Sequence, residues 1–220
     1  MVFDSIQFSY GIKRILRGIY LSIPRNSIVG LFGINGSGKS TLLNIGAGFL
    51  QQDEGNIFIE KKVFTNNLCI DRYNSIGYLS QDSFLPKDLT VKDLANRFDS
   101  LTVNLENEPI LNKIKNQKII SLSEGELRYL EIVLLFSLDR QYYLIDEPFT
   151  GIEPLIIEKI SKLILEQKEK GKGILITDHY HRYVTKIIDE CYLIRDGYLI
   201  KIENDEEFEK GLLKFGYLVN

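Results

Sequence analysis

The sequence predicts an α/β fold built on a mixed, mainly parallel sheet with flanking helices. Two observations lead to this prediction. Short apolar runs recur along the chain, and stretches with the spacing of amphipathic helices separate them. Runs of this length and composition are typical of strands buried on both faces. They occupy residues 27–32, 142–145 and 174–176, and residues 56–59 and 76–79 predict further short strands.

The other elements can be justified in chain order. Alternating apolar residues over 19–23 predict a half-buried strand in an antiparallel N-terminal part. Apolar residues at helical spacing over 42–49 and 127–135 predict two helices. A third is predicted over 154–170, where proline stands at a natural helix start and glycine follows as a C-cap. Residues 192–202, with an Asp-Gly turn, predict a hairpin.

A segment of different composition interrupts this pattern between about residues 90 and 122. Its apolar residues lie at helical spacing among many Asn, Asp, Glu and Lys residues, which predicts short amphipathic helices. We therefore predict one domain over residues 1–220. Its core is formed by 1–89 and 118–220, and the helical insertion at about 90–122 is short.

Composition excludes several function classes. The net charge is −3, so no global basic field argues for nucleic acid as a partner. Cys69 and Cys191 have neither metal-site nor CxxC spacing, and we expect them to be plain buried thiols in a reducing compartment. No apolar run approaches the length that spans a bilayer, and the first residues resemble no secretory signal. Any role at a membrane therefore needs a separate partner.

Residues 33–41 read G-I-N-G-S-G-K-S-T between a predicted strand and a predicted helix, the pattern of a phosphate-binding loop. Glycines let the backbone curl so that successive N–H groups face phosphate oxygens. Lys39 supplies a cation for the β- and γ-phosphates, and the Ser40 hydroxyl can bind Mg²⁺. The predicted nucleotide-binding residues of this loop are Gly33, Asn35, Gly36, Ser37, Gly38, Lys39, Ser40 and Thr41.

Two carboxylates end the apolar run at 142–145. Asp146 stands at the tip of a buried strand, where it can hold Mg²⁺ through the ion's water shell. Glu147, one residue further on, can polarise a water in line with the γ-phosphate. The alternative is a pair of acids that opens a turn. The phosphate-binding loop upstream favours catalysis.

Five segments together resemble the ATP-binding cassette (ABC) ATPases. Residues 122–126, L-S-E-G-E, resemble the signature loop L-S-G-G-Q/E, which separates this family from other P-loop enzymes. Gln81 resembles the Q-loop glutamine that senses Mg²⁺ and the attacking water, and residues 151–154 resemble the D-loop. His179 resembles the switch histidine that contacts the γ-phosphate. Tyr10 resembles the aromatic residue that stacks on adenine, its alternative being a strand-end aromatic in the core.

The resemblance covers residues 3–218 and is nearest to the compact cassettes of lipopolysaccharide export and branched-chain amino-acid import. It implies ATP and Mg²⁺ as cofactors, with two cassettes enclosing two ATP molecules head to tail. The pair is a homodimer, or a heterodimer with a second cassette. The catalytic residues it implies are Glu147, His179 and Gln81, and the metal-binding ones are Ser40, Gln81 and Asp146. Ser123 and Gly125 are then expected to bind the nucleotide held by the partner cassette.

The sequence departs from the family pattern in three places. Glu124 replaces the first signature glycine, and Glu153 replaces the usual D-loop aspartate. Residues 81–122 are short for the family, which leaves the partner's identity open. The Glu124 carboxylate either approaches the partner's γ-phosphate or turns outward and caps the following helix.

The resemblance implies a transporter ATPase that docks on a permease formed by a separate chain, at the cytoplasmic face of a membrane. The alternative is a soluble ABC ATPase that acts in assembly, translation or DNA-related regulation. Translation-type members usually carry two cassettes in one chain, and DNA-repair members carry long insertions. Neither feature is present in these 220 residues.

Overall fold

The computed structural model describes residues 1–60, 62–64, 72, 74–97, 105, 107–202 and 208–217. Ten strands in this part of the chain form two sheets, with helices packed around them. The strands are β1 (Val2–Tyr10), β2 (Lys13–Ser22), β3 (Ser27–Phe32), β4 (Glu54–Ile59), β5 (Lys62–Phe64), β6 (Ile76–Leu79), β7 (Tyr142–Asp146), β8 (Gly173–Thr177), β9 (Glu190–Arg195) and β10 (Tyr198–Ile202). The helices are α1 (Lys39–Ala47), α2 (Val91–Ala95), α3 (Pro109–Ile114), α4 (Glu124–Ser137), α5 (Pro154–Glu169), α6 (His181–Val184) and α7 (Phe208–Lys214), with a 3₁₀ turn at Ile119–Ser121.

The larger sheet has the strand order β10-β9-β3-β8-β7-β6. Its neighbours are parallel except for the β9–β10 hairpin. The predicted mixed, mainly parallel sheet is therefore confirmed. Because parallel strands end at the same edge, the loops after β3, β6, β7 and β8 meet there. These four loops contain most of the predicted site residues.

The two faces of the larger sheet pack against different layers. Ile28 and Phe32 of β3 belong to the hydrophobic cluster that contains α4 and α5. Val29 and Leu31, which alternate with them, belong to a second cluster with α1 and the smaller sheet. Burial on both faces explains why β3 is apolar throughout rather than alternating.

The smaller sheet is antiparallel with the order β2-β1-β4-β5, as expected for the N-terminal part. The sequence pattern missed β1 as a strand, although it is nine residues long. Its pairing with β2 shifts register between Phe3 and Ile6, and Ser5 has a φ of 57°. This irregularity breaks the alternation on which strand prediction depends.

Helix α1 ends earlier than the sequence predicts. Gly48 adopts the left-handed conformation, with φ 87°, and its N–H donates to the carbonyls of Asn44 and Ile45. This glycine cap ends the helix at Ala47. The expectation that Phe49 continues the helix is therefore wrong, and its side chain is 70% exposed.

The helical segment packs onto the larger sheet rather than standing apart from it. Leu94 of α2 and Leu111 and Ile114 of α3 are buried in the same hydrophobic cluster as α4 and α5. A bridge between Thr90 and Lys118 joins the two ends of the segment. The proposed boundaries at about 90 and 122 stay a prediction, and the bridge is consistent with them.

Some sequence expectations fall outside the described residues, namely those for Cys69, Phe98, Leu101 and Leu218. Cys191 is buried in the core, as expected. Across the described part of the chain, no helix combines the length and apolar character needed to cross a membrane.

Candidate active site

The glycine-rich loop connects β3 to α1 and requires glycine at two close approaches. At Gly33 a Cβ atom would lie 2.5 Å from the Ser37 Oγ and 2.8 Å from the Ile194 carbonyl. Gly38 has φ 109°, and a Cβ there would lie 2.8 Å from Leu16. Because both approaches are closer than carbon contacts allow, side chains at either position would displace the loop.

Lys39, the first residue of α1, points its ammonium group back into this loop. Its Nζ donates to the Gly33 carbonyl at 2.7 Å, and the side chain is almost fully buried. Burial lowers the pKa of Lys39, while the nearby carboxylates of Glu147, Asp146 and Asp178 oppose that shift. The loop thus contains a buried ammonium group that can donate charge-assisted hydrogen bonds to phosphate oxygens.

The two predicted acids lie at the carboxyl end of β7. Asp146 pairs in register with Thr177 of β8, whose Oγ1 donates to the Asp146 Oδ1 at 2.5 Å. Glu147 adopts φ 49°, and its N–H donates to the Thr177 carbonyl at 2.9 Å. A non-glycine residue in this left-handed region costs roughly 1–2 kcal/mol, so its surroundings must hold it there.

His179 contacts the Glu147 carboxylate directly. Its Nε2 lies 2.8 Å from the Glu147 Oε1, and the Thr150 Oγ1 is 3.4 Å from the Glu147 Oε2. Glu147 is buried, whereas the His179 side chain is 35% exposed. The pair therefore joins a buried carboxylate to an imidazole that reaches the surface.

A cleft of about 690 Å³ brings the predicted residues together. Tyr10, Gln81, Glu147 and His179 line it together with residues of the phosphate-binding loop. Tyr10 is 57% exposed, so the alternative that it is a core aromatic is wrong. The loop residues that line the cleft are Asn35, Gly36, Gly38, Lys39, Ser40 and Thr41.

Five predicted residues do not line this cleft. Gly33 and Asp146 are buried, and Ser37 lines a neighbouring cleft instead. Ser123 is exposed, and Gly125 packs under α5, where a Cβ would lie 2.9 Å from Ile156. The signature loop thus lies outside the cleft that its own chain forms.

The start of α4 is closed by its own side chains. Ser123 Oγ accepts from the Glu126 N–H, and the Glu126 carboxylate accepts from the Ser123 N–H, so the two form a capping box. Glu124 therefore does not cap the helix, contrary to one of the two expectations. Its carboxylate is directed at the D-loop instead, because a Cβ at Gly151 would lie 2.6 Å from the Glu124 Oε2.

The sequence argument missed Asp178, the buried carboxylate between β8 and His179. Its Oδ2 accepts from the Phe149 N–H at 2.7 Å, and its Oδ1 accepts from the Tyr180 N–H at 2.8 Å. It thereby joins the loop after Glu147 to the loop that carries His179. Burial raises the pKa of Asp178 to about 6. An acid at the end of an apolar strand was a signal for it.

The second residue missed is Arg128 of α4, which is only 7% exposed. Its Nη1 donates to the Ser80 carbonyl at 2.8 Å. Its Nη2 donates to the carbonyls of Asp146 and Glu147, at 2.7 and 3.1 Å. A charged residue at a position of the helix surrounded by apolar ones was the available signal, but its contacts were not predictable from spacing.

Known proteins similar to this chain are ATP-binding subunits of ABC transporters. An uncharacterized ABC transporter ATP-binding protein of Rhizobium meliloti is 33% identical over 201 residues, which are 86% of this chain and 74% of that protein. The lipopolysaccharide export system ATP-binding protein LptB of Haemophilus influenzae is 28% identical over 228 residues, 94% of each chain. A solved nucleotide-free ATP-binding cassette from an ABC transporter is similar with a TM-score of 0.85 and 26% identity, covering 97% of this chain and 94% of that one.

The family assignment follows from the site and from these matches together. The predicted nearness to lipopolysaccharide-export cassettes is confirmed by the match to LptB. Nothing among the matches supports the alternative of a soluble ABC ATPase. Residues 16–150 match the sequence model of the ABC transporter family, which is more than half of the chain. The chain belongs to the ABC transporter family and is the ATP-binding ATPase subunit of a transporter.

Proposed function

We propose that this chain hydrolyses ATP with Mg²⁺ to drive a separate membrane permease, as one half of a head-to-tail pair of cassettes. The cleft after β3, β6, β7 and β8 is the observation that carries the proposal. It combines a phosphate-binding loop with a carboxylate, an imidazole, an amide and an aromatic ring. Those groups are the ones that nucleotide hydrolysis needs.

In this proposal Lys39 and the N–H groups of residues 36–41 bind the β- and γ-phosphates, and Tyr10 stacks on the adenine. A bound Mg²⁺ ion would supply positive charge next to the charge that develops on the phosphates. Ser40 and Gln81 line the cleft and would offer the ion a hydroxyl and an amide oxygen, and Asp146, beside Glu147 at the buried end of β7, would offer a carboxylate. The Thr177 hydroxyl fixes the Asp146 carboxylate for that task. The residues present therefore fit the ion.

Glu147 is the proposed general base. It accepts the proton of the attacking water, and its contact with His179 holds the carboxylate in the lining of the cleft. His179, which lines the cleft and is 35% exposed, contacts the γ-phosphate. A positioned general base contributes typically 10²–10⁴-fold to a rate.

The signature loop supports the proposal of a pair. Ser123 lies at the start of the fourteen-residue helix α4, and helix starts favour anions. Because it lies outside the cleft of its own chain, we propose that Ser123 and Gly125 serve the nucleotide of a second cassette. Hydrolysis then removes the phosphate that bridges the two, and the pair opens.

A second, apolar groove of about 980 Å³ is the proposed docking site for the permease. Phe49 and Phe84 line it and are 70% and 59% exposed, and Leu94 of α2 and Leu138, which follows α4, also line it. Ser80, which precedes Gln81, also lines this groove. Exposed aromatic rings in an apolar groove suit a short amphipathic helix from a permease loop. Movement of Ser80 in the groove would therefore move Gln81, which lines the ATP cleft.

The test is co-purification from detergent-solubilised membranes, with the partner identified by mass spectrometry. We expect a polytopic membrane protein that is lost with Phe84→Asp or Phe49→Asp, while basal ATP hydrolysis persists. Tyr20→Asp is the matched control, since Tyr20 is 62% exposed on β2 and lines none of the clefts described here. Recovery of the same partner with both phenylalanine variants, or of a soluble complex only, contradicts the proposal.

A further inference from the structure

One buried guanidinium group connects helix α4 to two loops of the ATP cleft, those after β6 and β7. Arg128 lies in the second turn of α4, and its Nη1 and Nη2 donate to three main-chain carbonyls outside that helix. Two of them are the consecutive carbonyls of Asp146 and Glu147, and the third is that of Ser80, just before Gln81. All three acceptors thus belong to or adjoin residues of the ATP cleft, although Arg128 itself does not line it.

The main chain at Glu147 needs such support. Its φ of 49° is unfavourable for a residue with a side chain, and it turns the carboxylate from the strand direction toward His179. On one side, the Glu147 N–H is held by the Thr177 carbonyl. On the other side, Arg128 holds the Glu147 carbonyl. Removal of the second contact leaves the peptide after Glu147 free to relax.

Glu131 fixes the guanidinium group in turn. Its Oε2 lies 3.1 Å from the Arg128 Nη1 one helical turn along α4, and the carboxylate is almost fully buried. A buried charge pair of this kind is weak evidence for stability, because desolvation offsets most of the attraction. Its value here lies in geometry: a planar fork of fixed donors can meet several acceptors at once, which an ammonium group cannot reproduce.

We infer that Arg128 is a positioning residue for hydrolysis, which holds the Glu147 main chain so that its carboxylate faces the attacking water. The inference rests on the proposed role of Glu147. It also links α4, whose first turn carries the signature loop, to the strand end where hydrolysis occurs. A partner that moves α4 would thereby change the position of Glu147.

The experiment compares Arg128→Lys with the parent chain. We expect kcat to fall at least tenfold, while the Kd for a fluorescent ATP analogue stays within twofold and the melting temperature within a few degrees. The affinity is retained because Lys39 and the phosphate-binding loop are untouched. A purely structural role would lower affinity and melting temperature along with kcat.

Arg25→Lys is the matched control. Arg25 also donates to a main-chain carbonyl, that of Gly171, but it lies before β3, at the opposite end of the sheet from the cleft. Its variant should leave turnover unchanged. Glu131→Gln, which keeps the shape and removes the charge that holds the guanidinium group, should lower kcat about threefold with unchanged Kd.

The failures of the two proposals can be told apart with Glu147→Gln. If that variant keeps turnover, the proposed role of Glu147 is wrong. If it loses turnover while Arg128→Lys and Glu131→Gln retain it, only the inference about Arg128 is overturned. Loss of kcat together with ATP affinity and melting temperature in both α4 variants also overturns it. Selective loss of kcat supports it.

Discussion

The phosphate-binding loop and the signature loop both lead into a helix, but they are built differently. Gly38 precedes α1 and has no side chain to cap it. The phosphate-binding loop instead contains the buried Lys39, whose charge interacts with the carboxylates of Asp146, Glu147 and Asp178. Ser123 precedes α4, is exposed and closes its own helix through a capping box with Glu126. One loop therefore faces a cleft that its chain completes, and the other faces outward.

This difference shows how the work is divided between one chain and a pair. Lys39, Glu147 and His179 are held by contacts within the chain, so changes there should alter what a single cassette does. Changes at the signature loop should matter only when a second cassette closes on it. The predictions below test this division from the largest expected effect to the smallest.

The largest effect is expected for Glu147→Gln, which removes the proton acceptor and keeps its shape. We expect kcat to fall about a thousandfold while ATP still binds. Since the signature loop is untouched, ATP-bound pairs should accumulate, and size-exclusion chromatography with light scattering measures them. Glu158→Gln, an exposed glutamate on α5, is the control. Unchanged turnover would remove Glu147 from the mechanism.

Lys39→Ala should lower the affinity for ATP about a hundredfold, because the phosphates lose their main buried cation. The loss should appear in a single cassette, before any pairing, in a titration with a fluorescent nucleotide. Lys162→Ala, at an exposed position of α5, should bind as the parent does. Equal affinity for Lys39→Ala and the parent would contradict the assignment of the loop.

Asp178→Asn tests how the protonation of this buried carboxylate affects the stability of the folded chain. Because burial raises the pKa of Asp178 from 3.8 to about 6, the folded chain holds this proton more tightly than the unfolded chain. The stability it contributes is present below pH 4 and is lost as the pH rises through about 6. The variant lacks this loss, so its free energy of unfolding relative to the parent should rise by about 2–3 kcal/mol from pH 4 to pH 7.

Urea denaturation at pH 4, 5.5 and 7 measures that difference for Asp178→Asn. Asp196→Asn, an exposed acid in the β9–β10 turn, controls for the general loss of one negative charge. A difference between variant and parent that stays constant across this range would mean that Asp178 keeps its ordinary acidity in the folded chain.

The smallest effect is expected at Glu124, on the outward-facing loop. Like charges about 4 Å apart repel by about 1 kcal/mol in water, and salt screens them. If the carboxylate meets the partner's γ-phosphate, Glu124→Gly should raise basal turnover a few-fold, most at low salt. Glu124→Gln separates the charge from the backbone, since it removes only the charge. Turnover that is unchanged or lower in both variants would contradict the repulsion.

Local chemistry made several features predictable before the fold was known. Residues 33–41 carry their function in consecutive glycine, lysine and serine residues, and Asp146 and Glu147 end an apolar strand. Strands buried on both faces and helix α5, with proline at its start and glycine after its end, were recognisable for the same reason. Where local geometry was irregular, as at Ser5 in β1 or Gly48 after α1, the sequence pattern gave the wrong or no boundary.

Only the tertiary structure decided the contacts that link distant parts of the chain. Arg128 meets the carbonyl of Ser80, 48 residues away, and Asp178 meets the N–H of Phe149, 29 residues away. The tertiary structure also places the Glu124 carboxylate next to Gly151 rather than on its own helix. The residue types show which groups can bind phosphate or accept a proton, because that chemistry is a property of each side chain and its neighbours in sequence. The packing of strands and helices decides which side chain holds those groups in place. The spacing of residues along the chain therefore does not predict these contacts.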